Sequence, residues 1–231
     1  MKLASPVRIA SFGLGMILVF GAVILVPNAK NLRVLADVSI ASRVDEHYNH
    51  LHTLRAHYSE RYQGMGLDRT ETGTLLLKKP GLMRWSYDQP SGKVFVLDGH
   101  YAWFYTPGDG QVSRAPAKQL DDLRSPLRFL LGHTQLAKEL DHITTTPDGP
   151  TGNPTGYRIT GIPKGMQSRV RLLTLDVSPA GAIQQMKLEE TDGAVTTFTF
   201  SSQQENVPTS ADDFRFVPPP NLPIINAQSP L

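Results

Sequence analysis

The chain has 231 residues, 40% of them hydrophobic and 19% charged, a composition that fits a globular domain and excludes a disordered protein. Residues 1–36 carry four basic and no acidic side chains, and the rest of the chain has 19 basic and 21 acidic residues. The formal charge of +2 therefore comes from the amino terminus, and nucleic-acid binding is not expected. The chain has no cysteine, which excludes disulfides, thiolate metal sites and cysteine nucleophiles.

The amino terminus predicts an export segment. Lys2 and Arg8 precede an uncharged stretch of 18 residues, 9–26, and a basic end followed by an apolar run is typical of export signals. The same stretch is just long enough to span a bilayer uncleaved. We therefore assign residues 1–36 to a signal that is either cleaved or retained as a membrane anchor. Residues 37–231 are then a single exported domain.

An amphipathic helix is predicted at the start of this domain. Apolar side chains at spacings of three and four residues share one helical face: Ala41, Val44, Tyr48 and Leu51. We expect Asp37 or Ser39 to cap its amino-terminal end. Beyond Leu51, apolar and polar residues alternate, which predicts a half-buried strand.

Short strands separated by turn residues are predicted as far as residue 113. Asp98-Gly99, between two apolar runs, is a strong hairpin signal. Connections this short exclude helical crossovers, so we expect an antiparallel meander. The predicted strands are 54–59, 73–78, 82–87, 93–97, 101–105 and 111–113.

The second half of the chain combines helices and strands. Leucines at helical spacing within residues 120–140, together with Ser125-Pro126, predict one or two short helices inserted between strands. The tail from Pro218 holds too many prolines to pair continuously. Strands are predicted to resume at 143–146, 156–160, 170–177, 183–189 and 195–200. The prediction is one mainly β (α+β) domain.

The sequence carries little support for catalysis or metal binding. A Gly-x-Ser-x-Gly elbow and phosphate-binding glycine patterns are absent. A metal site at His47, His50 and His52 is the alternative to a solvated helix face, which we favour because no His-Glu-x-x-His spacing accompanies them. We therefore predict a non-enzymatic protein without a metal site.

Large apolar and aromatic side chains are concentrated in the first predicted strands. Met83, Trp85 and Tyr87 alternate on one face of a strand, with Arg84 on the other. Two interpretations remain open: a plain core packed on the leucine-rich helices, or a sheet curled around an apolar cavity with those helices as a lid. In the second interpretation the cavity lining is Met83, Trp85, Tyr87, Phe95, Trp103 and Tyr105.

Several segments together resemble the LolA family of periplasmic lipoprotein carriers. Helix-to-strand residues 43–62 are similar to the family's opening. GTLLLKKPGLMRWSYDQP (73–90) and VLDGHYAWFYTPGDGQV (96–112) resemble its glycine, Lys-Arg-Pro, Arg-Trp, Asp-Gly and Trp-x-Tyr pattern. SPLRFLLG (125–132) is similar to the next helix, and FRFVPPP (214–220) to the closing strand. The order and spacing of these pieces make the likeness specific.

The resemblance implies an antiparallel sheet curled into an unclosed barrel, with a helical lid over an apolar cavity and no cofactor. It places Leu127, Leu130 and Leu131 on the lid helix and Met83, Trp85 and Tyr87 on the cavity strand. It implies a periplasmic carrier, which we expect to be monomeric, that moves acylated lipoproteins from an inner-membrane ABC-type release complex to an outer-membrane acceptor. The alternative is a membrane-tethered regulatory module of the same fold that senses lipids or lipoproteins.

One residue departs from the family pattern. Many members place arginine before the proline, where it bonds to lid-helix carbonyls in the closed state, whereas this chain has Lys79. An ammonium has fewer donors than a guanidinium and no planar fork. We therefore expect Lys79, the candidate lid latch, to form a weaker or differently built latch.

Overall fold

A twelve-stranded sheet forms the frame of the molecule, in a computed structural model that describes residues 29–118, 135–149 and 155–227. Helix α1 spans Ala29–His50, α2 spans Leu136–Glu139, and a 3₁₀ turn spans Asp212–Phe214. The strands are β1 (Thr53–Gly64), β2 (Leu67–Lys78), β3 (Leu82–Gln89), β4 (Val94–Asp98), β5 (Tyr101–Tyr105), β6 (Val112–Pro116), β7 (Leu140–Asp148), β8 (Gly156–Pro163), β9 (Val170–Val177), β10 (Ile183–Glu190), β11 (Val195–Glu205) and β12 (Ile224–Asn226).

Two antiparallel meanders build the sheet. The first runs through β1–β6 and the second through β7–β11, and β1 joins them by pairing antiparallel with β11, with Glu60 opposite Phe198. In the described part of the chain β7 and β12 are the two edges, so the curled sheet does not close. The predicted meander and the unclosed antiparallel sheet are confirmed.

Helix α1 packs against one end of the curled sheet, which we call the helix end. The predicted apolar face is confirmed for Ala41, Val44 and Tyr48, which are all buried, whereas Leu51 is also buried but follows the end of the helix. The Tyr48 hydroxyl accepts a hydrogen bond of 3.2 Å from the backbone N–H of Ile183, at the start of β10. The opposite end, where β1, β3 and β10 finish, is called the mouth.

The helix begins earlier than expected. It starts at Ala29 and continues through Asp37 and Ser39, so neither residue caps it. Residues 29–36 include no proline or glycine to stop a helix at that point. No helix in the described residues has the length and apolarity needed to cross a membrane. The predicted export stretch and the leucine-rich segment 120–134 lie outside the described residues.

The tail packs on the convex face of the sheet. Residues 214–220, which resemble a closing strand, form the end of the 3₁₀ turn and then irregular chain, because Pro218, Pro219 and Pro220 cannot donate ladder hydrogen bonds. Of the tail residues described up to 227, only the short β12 pairs with the sheet, parallel to β6. A convex-face cluster anchors the tail: Val96, Trp103 and Val112, with Phe216 and Leu222 packed against them.

Gly73 on β2 permits a close approach between neighbouring strands. A Cβ there would collide with the Ser86 carbonyl oxygen and lie 2.8 Å from the Tyr58 hydroxyl oxygen. We expect Gly73→Ala to lower the free energy of unfolding by about 2–3 kcal/mol, the usual cost of overpacking, in urea titrations. Thr74→Ala, one residue along the strand, should change it by less than about 1 kcal/mol. Equal values for wild type and Gly73→Ala would contradict the close approach.

Candidate ligand-binding cavity

An apolar cavity of about 300 Å³ opens at the mouth of the curled sheet. This volume is at the lower end of the range for ligand pockets. Two groups of strands face each other across it, β3–β5 on one side and β9–β11 on the other. The hydrophobic and aromatic lining residues are Trp85, Tyr87, Val94, Phe95, Phe104, Tyr105, Met166, Val170, Leu188 and Phe198.

Cross-strand register brings the aromatic wall together. Trp85 lies opposite Phe95 on β4, and Phe95 opposite Phe104 on β5, so all three share the concave face. The Phe95 and Phe104 ring centroids are 4.7 Å apart. Across the curl, the Trp85 ring lies 5.6 Å from Phe198 in an edge-to-face arrangement. The wall is thus a packed aromatic surface drawn from both meanders.

Core side chains fill the space between the cavity and the helix end. Met83, one concave-face position before Trp85, is 1% exposed, and its sulfur accepts the Trp85 indole N–H at 2.9 Å. Tyr48 of α1 and Leu51, the first residue after this helix, belong to the same core cluster. Met83 therefore lies beneath the cavity floor, and the opening lies at the mouth.

The structure separates the six predicted lining residues. Trp85, Tyr87 and Phe95 border the cavity from the concave face, and Met83 lies below it. Tyr105 reaches the edge of the cavity, but it packs mainly on the convex face, where its ring lies 6.1 Å from Phe216. Trp103 instead lies on the convex face, because it is opposite Val96 rather than Phe95. Its indole N–H donates to the Asp98 carboxylate at 2.7 Å, and its ring lies 5.6 Å from Phe216.

Phe104 occupies the position that the sequence interpretation gave to Trp103. The Asp98-Gly99 turn was the available signal, since counting outwards from it puts the even-numbered residues of β5, Ala102 and Phe104, on the face of Phe95. The observed hairpin, which pairs Leu97 with Ala102 and Phe95 with Phe104, has the same facing. The second wall was also missed. Val170, Leu188 and Phe198 alternate correctly along their strands, but no local pattern shows that β11 joins β1.

Lys79 lies at the helix end, in the turn between β2 and β3. Its backbone N–H donates to the His52 carbonyl at 2.9 Å, and partial burial lowers the pKa of its ammonium group. Leu127, Leu130 and Leu131 lie outside the described residues. The lid and its latch therefore stay predictions.

Arg84 points to the convex face, as its position in the alternation predicts. Its guanidinium donates to the Ser86 hydroxyl at 3.1 Å and to the Arg215 carbonyl at 3.3 Å. It thereby connects β3 to the chain that follows the 3₁₀ turn. Arg84 contributes to holding the tail and has no contact with the cavity.

Charged side chains surround the mouth. The buried carboxylate of Glu71 contacts the Lys93 ammonium at 2.5 Å and the Arg69 guanidinium at 3.5 Å. Arg169 and Glu190 form a second pair at 3.3 Å. The Lys93 ammonium also lies 4.3 Å from the centre of the Tyr87 ring, a cation–π distance. The apolar interior thus ends in a band of ion pairs.

The predicted histidines have separate structural partners. His47 Nε2 lies 3.3 Å from the Glu205 carboxylate, and His50 Nδ1 is 2.9 Å from the Glu46 carbonyl oxygen. Across residues 29–118, 135–149 and 155–227, no three histidine, aspartate or glutamate side chains cluster as metal ligands. The cavity is thus the feature of the described chain that suits a ligand.

Most of the chain is similar to proteins of one family. A family model described as "Outer membrane lipoprotein carrier protein LolA" matches residues 50–217. The outer-membrane lipoprotein carrier protein of Nitrosomonas europaea is 27% identical over 177 residues, covering 75% of this chain and 82% of that protein. That of Edwardsiella ictaluri is 31% identical over 150 residues, covering 65% and 68%.

A solved structure shows the same fold. The Mycobacterium tuberculosis lipoprotein LppX aligns with a TM-score of 0.52 at 16% identity, over 77% of this chain and 99% of LppX. At that identity the likeness concerns the fold alone.

Proposed function

The chain belongs to the LolA family of outer-membrane lipoprotein carrier proteins, and from that premise we propose that its cavity binds the acyl chains of lipoproteins. The observation that carries the proposal is the one-ended apolar cavity walled by Trp85, Phe95, Phe104 and Phe198. A cavity open at one end accepts chains while the attached polar protein stays outside. The protein then acts by binding and release, without chemistry or cofactor.

The energetics of acyl chains explain why such walls are needed. Exposing hydrocarbon to water costs about 0.8 kcal/mol per methylene, so a chain of ~16 carbons carries on the order of 10 kcal/mol. The rings of the aromatic wall provide flat apolar surfaces on which an acyl chain can lie. Met166, between β8 and β9, adds an unbranched, adaptable side chain. Such a lining suits chains without a fixed shape.

Release requires that something compete with the ligand for the apolar surface. We propose that the leucine-rich segment containing Leu127, Leu130 and Leu131 covers the cavity when it is empty. Because cover and ligand occupy the same surface, closing of the cover lowers the apparent affinity for the ligand. Lys79 is the candidate latch for this closed state.

The transport route extends the proposal. We propose a periplasmic location, delivery of acylated lipoproteins by an inner-membrane ABC-type release complex, and transfer to an outer-membrane acceptor. The names of the curated relatives support the class of ligand. The excess of acidic over basic residues beyond residue 36 is small, so we expect apolar contact to dominate recognition.

A dye-displacement titration tests the proposed function. An environment-sensitive hydrophobic dye is bound to the purified protein and titrated with a triacylated lipopeptide, with the same peptide lacking its acyl chains as control. We expect the lipopeptide to displace the dye and the unacylated peptide to leave it bound. Retention of the dye by a correctly folded protein at saturating lipopeptide would disprove acyl-chain binding.

Leu130→Glu tests the cover. A carboxylate cannot bury against the aromatic wall without a large desolvation penalty, so the closed, empty state should be destabilised. Because the cover then competes less for the apolar surface, we expect lipopeptide affinity to rise about tenfold in the dye assay. The far-ultraviolet circular dichroism of the sheet should remain unchanged. Wild-type affinity in this variant would show that Leu130 is not part of the cover.

The amino-terminal segment favours a second candidate function, a tethered sensor of lipids or lipoproteins. The uncharged stretch 9–26 is long enough to anchor the domain if it is not cleaved. The mass of the mature protein discriminates between the two functions. Loss of the segment supports a diffusing carrier, and its retention supports the sensor.

A further inference from the structure

The proposed acyl cavity raises a problem of selectivity, because membrane phospholipids carry similar chains. Apolar pockets discriminate poorly between ligands that differ outside the pocket. Discrimination must then come from polar groups at the mouth, where the part of the ligand that joins its chains would lie. These groups differ in whether they already have a partner of opposite charge.

Most mouth charges already have opposite partners. Glu71 holds both Lys93 and Arg69, and Arg169 is bonded to Glu190. Glu60, which also lines the cavity, is different. In the part of the chain that the structure describes, no hydrogen bond or ion pair within bonding distance ends on its carboxylate. The cations near it are engaged elsewhere.

The surroundings of Glu60 make its charge costly. On β1 it is opposite Phe198 of β11 on one side and Glu71 of β2 on the other. Like charges directly opposite each other on neighbouring strands are destabilising. Burial first, and the charge of Glu71 second, raise the pKa of the Glu60 carboxyl, while Lys93 and Arg69 partly offset them. Among the residues that the structure describes, no hydrogen bond to the Glu60 carboxylate compensates for this cost.

We propose that Glu60 is a specificity residue that disfavours phosphate-bearing lipids and admits acyl chains linked to a neutral, amide-containing group. A phosphodiester at the mouth would bring a second negative charge beside an unpaired carboxylate in a partly desolvated site. An amide N–H next to the acyl chains can instead donate a hydrogen bond to that carboxylate. This inference rests on the proposed function, since it concerns selection among ligands of the same cavity.

The test compares three ligands with acyl chains of equal, short length, which keeps them monomeric: a lipopeptide, a phosphatidylglycerol and an uncharged diacylglycerol. Each displaces the hydrophobic dye from wild type and from Glu60→Gln. In wild type the lipopeptide should bind at least about tenfold more tightly than phosphatidylglycerol. In Glu60→Gln, phosphatidylglycerol should bind about tenfold more tightly than before, and the lipopeptide two- to fivefold more weakly. High salt should shrink the difference in wild type.

Glu205→Gln is the matched control for net charge. Glu205 lies on β11 at the helix end, seven residues beyond Phe198, roughly 23 Å away at the usual rise per residue of a strand. That separation exceeds the Debye length of about 10 Å at moderate ionic strength. We expect this variant to keep the wild-type preference between lipopeptide and phosphatidylglycerol.

Thermal unfolding adds a readout that a purely structural carboxylate would not give. Because the folded-state pKa of Glu60 is raised, protonation of Glu60 favours the folded state, and this contribution is lost as pH rises through that pKa. Glu60→Gln should therefore unfold at a higher temperature than wild type at pH 7, with the difference vanishing near pH 4. A lower unfolding temperature at pH 7 would assign Glu60 a structural role and overturn the inference.

The binding outcomes separate the two claims. If wild type binds the lipopeptide but Glu60→Gln leaves the preference over phosphatidylglycerol unchanged, the inference is wrong and the proposed function stands. If the lipopeptide fails to displace the dye from wild type, the proposed function is wrong and the inference falls with it.

Discussion

Replacement of Phe198 by glutamate is expected to lower lipopeptide affinity at least about a hundredfold. Phe198 belongs to the wall that β11 contributes, is 9% exposed, and faces Trp85 at 5.6 Å. An acyl chain lying over a carboxylate at this point would shield the charge from water without donating a hydrogen bond to it. The desolvation would cost several kcal/mol of binding free energy. The dye-displacement titration measures the loss directly.

Thr199→Glu is the matched control for this variant. Thr199 is the next residue of β11, is exposed, and points to the opposite face of the sheet. It adds the same charge to the same strand, so its affinity should stay within about twofold of wild type. Phe198→Ala, which adds no charge, should still lose about fivefold through lost apolar contact. Equal affinities for Phe198→Glu and Thr199→Glu would contradict the assignment of the concave face.

Replacement of Trp85 by alanine is expected to lower the free energy of unfolding by about 3–5 kcal/mol, the usual cost of truncating a buried tryptophan. The ring packs edge-to-face on Tyr58 at 4.5 Å and on Phe198 at 5.6 Å, and lies 6.3 Å from Phe200. It therefore connects the first meander to the second. Urea titration measures this loss of unfolding free energy. The unfolding temperature should fall by on the order of 10 °C.

Ser86→Ala provides the control for Trp85→Ala. Ser86 is the next residue of β3, points to the convex face, and its hydroxyl accepts a hydrogen bond from Arg84 at 3.1 Å. Its loss should cost less than about 1 kcal/mol. Comparable losses for Ser86→Ala and Trp85→Ala would show that Trp85 does not hold the two meanders together.

The local sequence pattern was sufficient for the strands of the first meander and for the buried face of α1. Alternation along residues 82–87 placed Trp85 and Arg84 on opposite faces, and the Asp98-Gly99 turn predicted the β4–β5 hairpin. The three- and four-residue spacing of Ala41, Val44 and Tyr48 predicted the buried helix face. In these cases the side-chain period and the turn are both encoded within a few residues.

Features that depend on pairing between distant strands were not predictable in the same way. Glu60 and Phe198 meet because β1 pairs with β11, and no short pattern carries that information. Alternation divides a strand into two faces but does not say which face is concave, so Trp103 was assigned to the cavity in place of Phe104. Glu60 has no partner within the described part of the chain because Lys93 and Arg69 point to Glu71, which only the assembled sheet determines.

Fluorescence quenching by a brominated acyl chain tests the central claim most directly, because the chain has two tryptophans and they lie on opposite faces of the sheet. Trp85 borders the cavity, whereas Trp103 packs on Phe216 at the convex face. A lipopeptide brominated on its acyl chains should quench the Trp103→Phe protein, in which Trp85 emits, and leave the Trp85→Phe protein, in which Trp103 emits, unquenched. Quenching of Trp103 alone, or of neither tryptophan at saturating lipopeptide, would contradict acyl-chain binding in this cavity.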